Sequence, residues 1–169
     1  MMEKLRKYIA EVPNFPKPGI LFRDIAPLLR YKFRETIDAI SLLFSTQEWS
    51  AIDLVAGIES RGFLFAAPLA YNHNKGVVKI RKAGKLPKAA GQISYGLEYG
   101  TSILEMQQGN GMRLLIVDDL LATGGSLYAA AELAKQVGYD VAAFATLINL
   151  TALNSFQWQG IACRSVIHY

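Results

Sequence analysis

The chain has 169 residues, which suits a single domain, and 51% of them are hydrophobic, enough to form one core without disulfide staples. Its single cysteine, Cys163, excludes an internal disulfide and offers no metal-ligand spacing, so we expect a reducing, cytoplasmic setting. The net charge of +4 is mild and suits either a nucleic-acid partner or an anionic small substrate. The position of the charges must therefore decide between these classes.

The N-terminal half mixes charged, proline-rich and apolar segments. Its first residues, MMEKLRKYIAEVPNFP, contain no continuous apolar run, so we expect neither a signal peptide nor a membrane span. Three prolines and a glycine over 12–24 exclude regular structure there. The elements predicted up to residue 91 are a short helix over 3–10, a helix over about 33–46, a buried parallel strand over 53–58, a helix over 61–74, an extended segment over 76–80 and a polar, mobile loop over 81–91.

The C-terminal half continues the alternation of strands and helices. The predicted elements are a hairpin over 92–108, a core strand over 113–119, a helix over 126–138 closed by Gly138, and a further strand over 141–150. No pattern is clear after residue 150. Because there are no repeats and no long linker, the sequence predicts one compact α/β unit.

Two adjacent acidic residues end the apolar run of the strand predicted over 113–119. Ligands of open parallel sheets bind at the carboxyl ends of strands, so Asp118 and Asp119 point to a site there. Two carboxylates suit a vicinal diol, since each accepts a hydrogen bond from one hydroxyl. The simpler alternative is that Asp119 only turns the chain.

A short polar loop follows the acidic pair and leads into the next predicted helix. Gly124 and Gly125 allow positive backbone dihedrals and a close approach of a ligand, so that the loop amides can converge on one anion at the positive end of the helix. Thr123 and Ser126 add hydroxyl donors. The loop therefore suits a phosphate monoester, and phosphate plus diol describes a ribose 5-phosphate. Capping of the helix by Thr-Gly-Gly alone is the structural alternative.

This apolar strand with two acidic residues and a T-G-G-S loop closely resembles the phosphoribosyl pyrophosphate (PRPP) signature of type I phosphoribosyltransferases. Further segments are similar to the adenine-specific members of that family, in order and at comparable spacing. They are NFPKPGILFRDIAPLL (14–29), AGIESRGFLFAAPLA (56–70), RKAGKLP (81–87) and LEYG (97–100), beside VDDLLATGGS (117–126). The resemblance covers roughly residues 3–150 and weakens in the tail.

The resemblance implies a fold and a reaction. The fold is α/β, a single domain over 1–169 with a central, mainly parallel sheet flanked by helices, an N-terminal hood over 1–30 and a mobile lid over 81–98. The reaction transfers the phosphoribosyl group of PRPP to adenine and gives AMP and pyrophosphate, with Mg²⁺ bound mainly through PRPP and not directly by the protein. The family also implies a homodimer, and the apolar N-terminal third offers surface for a symmetric contact.

The resemblance further implies where PRPP binds. Ala122 joins Thr123, Gly124, Gly125 and Ser126 in the 5-phosphate loop, with Asp118 and Asp119 beside them for the ribose. The residues implied for pyrophosphate are Glu59, Ser60, Arg61, Arg81 and Lys85, and Arg61 is also expected to assist catalysis by stabilising the leaving group.

The basic run over 79–88 contains no acidic residue, which predicts attraction to a polyanion and part of a closing lid that keeps water from the ribosyl cation. A solvated surface charge is the alternative for Arg61, and a solvated charged face is the alternative for Lys82 and Lys88.

Adenine needs a proton acceptor and an apolar pocket. One imidazole nitrogen loses its proton as the other attacks, so a carboxylate is expected near the ring, and the resemblance assigns this task to Glu98 in LEYG. A surface glutamate at a strand end is the alternative. The expected walls of the adenine pocket are Leu21, Phe22, Arg23 and Leu120, although Phe22 could equally belong to the core.

Two rival functions remain open. A non-catalytic regulator that senses PRPP and binds DNA would need a further domain, for which the family-like segments leave no room. The scattered tyrosines also form no stacking platform with the basic residues, so we expect no nucleic-acid partner and no membrane partner. An enzyme for hypoxanthine, guanine or xanthine would be expected to lack NFPKPGILFRD.

Overall fold

The apolar runs of the sequence form a central sheet in the computed structural model, which describes residues 2–97 and 100–169. Its helices are α1 (Met2–Arg6), α2 (Ala26–Tyr31), α3 (Phe33–Ser41), α4 (Thr46–Ser50), α5 (Gly62–Asn72) and α6 (Gly125–Gln136). Its strands are β1 (Ala10–Pro13), β2 (Leu21–Asp24), β3 (Leu54–Ile58), β4 (Gly76–Lys82), β5 (Gly91–Leu97), β6 (Gly100–Met106), β7 (Arg113–Leu121), β8 (Asp140–Asn149), β9 (Gln157–Trp158) and β10 (Ile161–His168).

The central sheet has eight strands in the order β5-β6-β4-β3-β7-β8-β10-β9. Its middle strands, from β4 through β3, β7 and β8 to β10, pair in parallel. The outer strands β6, β5 and β9 pair antiparallel to their neighbours. This arrangement is the α/β fold with a mainly parallel sheet that the sequence predicts.

Both faces are covered at the middle of the sheet, which is why β3 and residues 114–117 of β7 are apolar. In β7, Leu115 and Val117 face a core formed with α2, α3 and α5, whereas Leu114 and Ile116 face a core formed with α6. All four side chains are fully buried. Because successive side chains of a strand point to opposite faces, an uninterrupted apolar run holds two helical layers on one sheet.

Several predicted elements are confirmed. The strands predicted over 53–58, 113–119 and 141–150 correspond to β3, β7 and β8, and the predicted hairpin corresponds to β5 and β6, which pair antiparallel. Gly138 follows the C-cap residue of α6, Val137, and has a φ of 93°, as expected for a glycine that ends a helix. Within the described residues, no helix combines the length and the apolar character needed to cross a membrane.

The prediction for the proline-rich segment over 12–24 is wrong at both ends. β1 and β2 form a small antiparallel sheet in which Val12 pairs with Phe22. The ladder tolerates the prolines because Pro13 ends β1, while Pro16 and Pro18 lie in the connecting turn. The helix predicted over 3–10 is also shorter, since α1 ends at Arg6.

The helix predicted over 33–46 is shorter than expected, and a separate helix begins where the prediction ends. α3 ends at Ser41, and Ser45 begins α4 with a capping box: the Glu48 amide donates to Ser45 Oγ at 3.2 Å, and the Ser45 amide donates to Glu48 Oε2 at 2.8 Å. A strong N-cap favours a new helix start over continuation of the old one.

The loop predicted over 81–91 is shorter than expected, because Arg81 and Lys82 belong to β4 and Gly91 belongs to β5. β7 also runs two residues beyond the predicted strand, to Leu121. The tail, where the sequence shows no pattern, adds β10 in parallel to β8.

Candidate active site

Two glycines bring the start of α5 against the sheet at the carboxyl edge of the parallel strands. A Cβ at Gly62 would lie 2.7 Å from the carbonyl oxygen of Val117, and a Cβ at Gly57 would lie 2.8 Å from the carbonyl carbon of Gly62. Both distances are too short for a real side chain, so only glycine permits this packing. It places the loop after β3 directly beside the acidic pair of β7.

Arg61 and Asp119 form an ion pair at this edge, with 2.9 Å between Nε and Oδ2. The Asp119 side chain is 8% exposed and that of Arg61 is 42% exposed, so the guanidinium remains open to a ligand. Burial raises the pKa of Asp119, while the charge of Arg61 acts in the opposite direction. The pair therefore joins the loop after β3 to the acidic strand.

Asp118 lies next to this pair and has a different environment. The Asp119 amide donates to Asp118 Oδ1 at 2.9 Å. Burial, followed by the charge of Asp119, raises the pKa of Asp118 well above its ordinary value. In their ionised form the two carboxyl groups can accept hydrogen bonds from hydroxyl groups of a ligand, which is what the predicted diol site requires.

The glycine loop over 122–126 surrounds the start of α6. Gly124 is the N-cap residue and has a φ of 89°, a left-handed conformation that glycine adopts at little cost. A cavity of about 280 Å³ lies against the loop. Its lining contains the residues predicted for the ribose and the 5-phosphate, namely Asp118, Asp119, Ala122, Thr123, Gly124, Gly125 and Ser126. The first turn of α6 supplies the positive end of a helix dipole to this cavity.

Glu59 collects the basic residues that follow β3 and β4. Its carboxylate accepts hydrogen bonds from Lys85 Nζ at 2.8 Å, from the Lys82 amide at 2.9 Å and from Arg81 Nε at 3.2 Å. Burial disfavours the charged carboxylate, but these donors outweigh it and lower its pKa to about 2. Since a carboxylate repels a diphosphate, the direct contribution of Glu59 is to hold the cations of the predicted pyrophosphate site.

A second cavity of about 390 Å³ lies between this cluster and the acidic pair. Glu59, Ser60 and Arg61 line it, together with Asp118, Asp119 and Ser126. Its lining also includes Lys82, Tyr95 and Ser102, to which sequence reasoning gave no site role. Lys82 belongs to the basic run over 79–88. Tyr95 and Ser102 are brought together only by the pairing of β5 with β6.

The candidate adenine residues lie in a third cavity of about 490 Å³. Leu21, Phe22, Arg23 and Leu120 all line it, so Phe22 is a pocket residue and not only a core residue. The Phe22 ring packs edge-on against Phe15, with 5.1 Å between centroids. The end of β8 and the residues after it complete the lining, and no local motif in the sequence marks them: Ile148, Leu150, Ala152, Leu153 and Tyr169.

Not every predicted residue reaches these cavities. Arg81 and Lys85 contact Glu59 and are not among the lining residues. Glu98, the predicted proton acceptor, lies outside the described residues. In the part of the chain that the structure describes, no group of three or more His, Cys, Asp and Glu side chains could hold a metal ion.

Comparison with known proteins agrees with this geometry. The model of the phosphoribosyl transferase domain family matches residues 33–155. Adenine phosphoribosyltransferase from Hydrogenovibrio crunogenus is 58% identical over 165 residues, which are 98% of this chain and 96% of that protein. The corresponding protein from Nitrosopumilus maritimus is 48% identical over 173 residues, covering 98% of this chain and 99% of its own length.

Solved structures give the same result. The crystal structure of adenine phosphoribosyltransferase from Thermoanaerobacter pseudethanolicus has a TM-score of 0.89 at 39% identity and covers 100% of both chains. The Saccharomyces cerevisiae enzyme, crystallised with an imino-altritol bisphosphate and adenine, has a TM-score of 0.85 at 35% identity and covers 98% of this chain and 97% of its own. The chain belongs to the phosphoribosyltransferase family and, within it, to the adenine phosphoribosyltransferases.

Proposed function

We propose that this protein transfers the 5-phosphoribosyl group of PRPP to adenine and releases AMP and pyrophosphate. The observation that carries the proposal is that Arg61 and Asp119 line all three cavities of the site. The cavities therefore adjoin at this ion pair. One offers a helix N-terminus, one offers basic and hydroxyl groups, and one is largely apolar. A substrate pair with a phosphate, a diphosphate and a purine base matches this sequence of environments.

The proposed orientation of PRPP follows from these environments. Its 5-phosphate contacts residues 122–126, and its ribose hydroxyls donate to Asp118 and Asp119. Its diphosphate lies along Ser60 and Arg61, within reach of the cations that Glu59 holds. When hydroxyls engage the acidic pair, the half-exposed Arg61 guanidinium is free to follow the diphosphate.

In the proposed reaction the bond from the anomeric carbon to pyrophosphate breaks, and the electron pair leaves with the pyrophosphate oxygen. A ring nitrogen of adenine forms the new bond to that carbon. Positive charge develops on the ribose and negative charge on the leaving group, so Arg61 stabilises the transition state more than the ground state. Glu98 accepts the proton that the other imidazole nitrogen of adenine loses.

Magnesium enters this proposal as part of the substrate. Two acidic groups of the site are already paired with cations of the protein, Asp119 with Arg61 and Glu59 with Arg81 and Lys85. This fits a Mg²⁺ ion held mainly by the diphosphate oxygens of PRPP. Bound there, the ion would neutralise part of the charge of the leaving group.

The remaining features of the proposal concern mobile parts, assembly and location. We propose that residues 1–30 form a hood over the base and that residues 81–98 act as a lid, because Leu21, Phe22 and Arg23 line the base cavity and Tyr95 lines the diphosphate cavity.

The protein works as a homodimer in the cytoplasm, a location that its single cysteine favours.

An activity assay with four bases tests the function. Nucleotide formation from PRPP is measured with adenine, hypoxanthine, guanine and xanthine under identical conditions. We expect adenine to be converted with a kcat/KM at least about a hundredfold above that of the oxopurines, because a site built for one hydrogen-bonding edge rejects its analogues. Preference for an oxopurine, or PRPP binding without transfer to any base, would refute the proposal.

A further inference from the structure

The segment that follows β8 packs against the glycine loop from outside the cavity. The Leu150 amide donates to the carbonyl oxygen of Leu121 at 2.9 Å. The Asn154 side chain donates from Nδ2 to the carbonyl oxygen of Ala122 at 2.8 Å. Two consecutive carbonyl groups, the one before the loop and the first one within it, are thus held by this segment. The sequence alone predicts no functional role for this segment.

The Asn154 amide is the centre of this contact. Besides the carbonyl of Ala122, its Nδ2 approaches Leu150 O and Asn149 Oδ1, each at 3.0 Å. Its Oδ1 accepts from the Phe156 amide at 3.2 Å. Three oxygen acceptors therefore converge on one NH₂ group and share its two hydrogens.

Phe156 completes the contact on the glycine itself. A methyl group added at Gly124 would lie 2.8 Å from Cδ2 of Phe156, so the ring packs directly on the residue that adopts the left-handed conformation. The ring is in turn held edge-on by the fully buried Phe144, with 5.2 Å between centroids. The position of Gly124 is thus limited by an aromatic pair anchored in the core.

These contacts fix the direction of the loop amides. In a trans peptide the carbonyl and the N–H point in opposite directions. Holding the Ala122 carbonyl on Asn154 therefore also fixes the N–H of Thr123, and Thr123 lines the cavity beside the start of α6. An anion site made of backbone amides depends on their being held in place before the ligand arrives.

We propose that Asn154 is a positioning residue for the 5-phosphate loop: its side-chain amide holds the Ala122 peptide so that the loop amides converge on the phosphate of PRPP. This inference rests on the proposed function of the site. It extends the machinery for phosphate recognition to a segment that does not touch the phosphate.

Two substitutions test the proposal, Asn154→Asp and Asn154→Ala. Asp keeps the shape but presents an oxygen to three acceptors, and Ala removes the donor without adding repulsion. Binding of ribose 5-phosphate is measured by calorimetry, and KM is measured separately for PRPP and for adenine. Asn110→Asp, at an exposed loop residue, is the matched control for the change of charge.

We expect Asn154→Ala to weaken ribose 5-phosphate binding about tenfold and Asn154→Asp to weaken it more, in keeping with an unsatisfied carbonyl. KM for PRPP should rise in parallel, while kcat and KM for adenine stay within about threefold of wild type. This selectivity separates positioning from general destabilisation. If the Asp variant does not fold, the Ala variant carries the test.

Wild-type affinity for ribose 5-phosphate in a folded Asn154 variant would overturn the proposal. Equal losses for adenine and for ribose 5-phosphate, with a lowered Tm, would also overturn it, because they would mean a general structural role. A wild-type protein that is itself inactive with PRPP would instead refute the proposed function, so the two failures can be told apart.

Discussion

Arg61 is the residue on which the site depends most, since the three cavities meet at its ion pair with Asp119. Its charge is neither fully buried nor fully solvated. Pairing with Asp119 orients the guanidinium, and partial exposure leaves donors for an anion. An arginine held in this way can move its hydrogen bonds from a carboxylate to a phosphate without a large change in position.

Glu98 is predicted to carry the proton of the base, and its neutral analogue provides the sharpest test. Glu98→Gln keeps the size of the side chain but cannot accept the proton, so we expect kcat to fall at least about a hundredfold with little change in substrate binding. Glu98→Leu should be at least as slow. Turnover of Glu98→Gln within about threefold of wild type at saturating adenine, with chemistry rate-limiting, would exclude Glu98 from this role.

Glu59 makes the stability of the folded protein depend on pH, because its pKa is about 2 in the folded protein against an ordinary value of 4.5. The folded state therefore binds fewer protons than the unfolded state between these values. The stabilisation is complete above pH 4.5 and is lost as the pH falls towards 2.

We expect Glu59→Gln to lower the free energy of unfolding by about 1–2 kcal/mol at pH 7. The difference from wild type should become smaller at pH 3, as urea titrations at both pH values would reveal. Glu3→Gln, on the exposed surface of α1, is the matched control and should differ little from wild type at either pH. A difference between Glu59→Gln and wild type that is equal at both pH values would contradict the ion cluster.

At the scale of elements, the junction of β3 and α5 positions the loop that carries Arg61. Gly62→Ala places a methyl group 2.7 Å from the Val117 carbonyl, so either α5 or β7 must move. We expect a loss of about 1–3 kcal/mol in unfolding free energy, the usual cost of overpacking, together with weaker PRPP binding. Gly96→Ala is the control for stability, since its new Cβ meets no atom within 4 Å. Equal stability of the two variants in urea denaturation would contradict this packing.

The elements that could be predicted from the sequence are those whose structure is determined by their own residues. β3 and β7 are continuous apolar runs, and such runs are buried on both faces in any parallel sheet. β10 was not predicted because IACRSVIH shows neither a continuous apolar run nor a regular alternation, and its strand character depends on pairing with β8. β1 and β2 were missed for a similar reason, since prolines argue against a strand except at the edge of a small sheet.

The same distinction holds for the site. The acidic pair and the glycine loop lie close together in the sequence, so their chemistry could be read from a short motif. Tyr169 and Lys82 reach the cavities only through the packing of the tail and of the end of β4. Asn154 contacts the loop from 32 residues away, and no local pattern marks such a contact.

At the scale of the whole molecule, large apolar side chains remain on the surface away from the site. Tyr71 is 87% exposed and Leu64 is 45% exposed. These two residues are seven positions apart on α5 and therefore lie on the same face of the helix. An apolar surface of this kind favours a contact with a second copy.

We predict that the protein is a homodimer and that Tyr71 contributes to the contact. Sedimentation at micromolar concentration should give twice the chain mass of 18.6 kDa. Tyr71→Glu should shift the protein towards the monomer, because each copy then buries a charge without a partner in a symmetric contact. Met112→Glu, at another exposed apolar residue, controls for the added charge and should remain dimeric. A fully active monomer of the wild-type protein would refute the prediction, whereas a dimer that Tyr71→Glu leaves intact would place the contact elsewhere and remove Tyr71 from it.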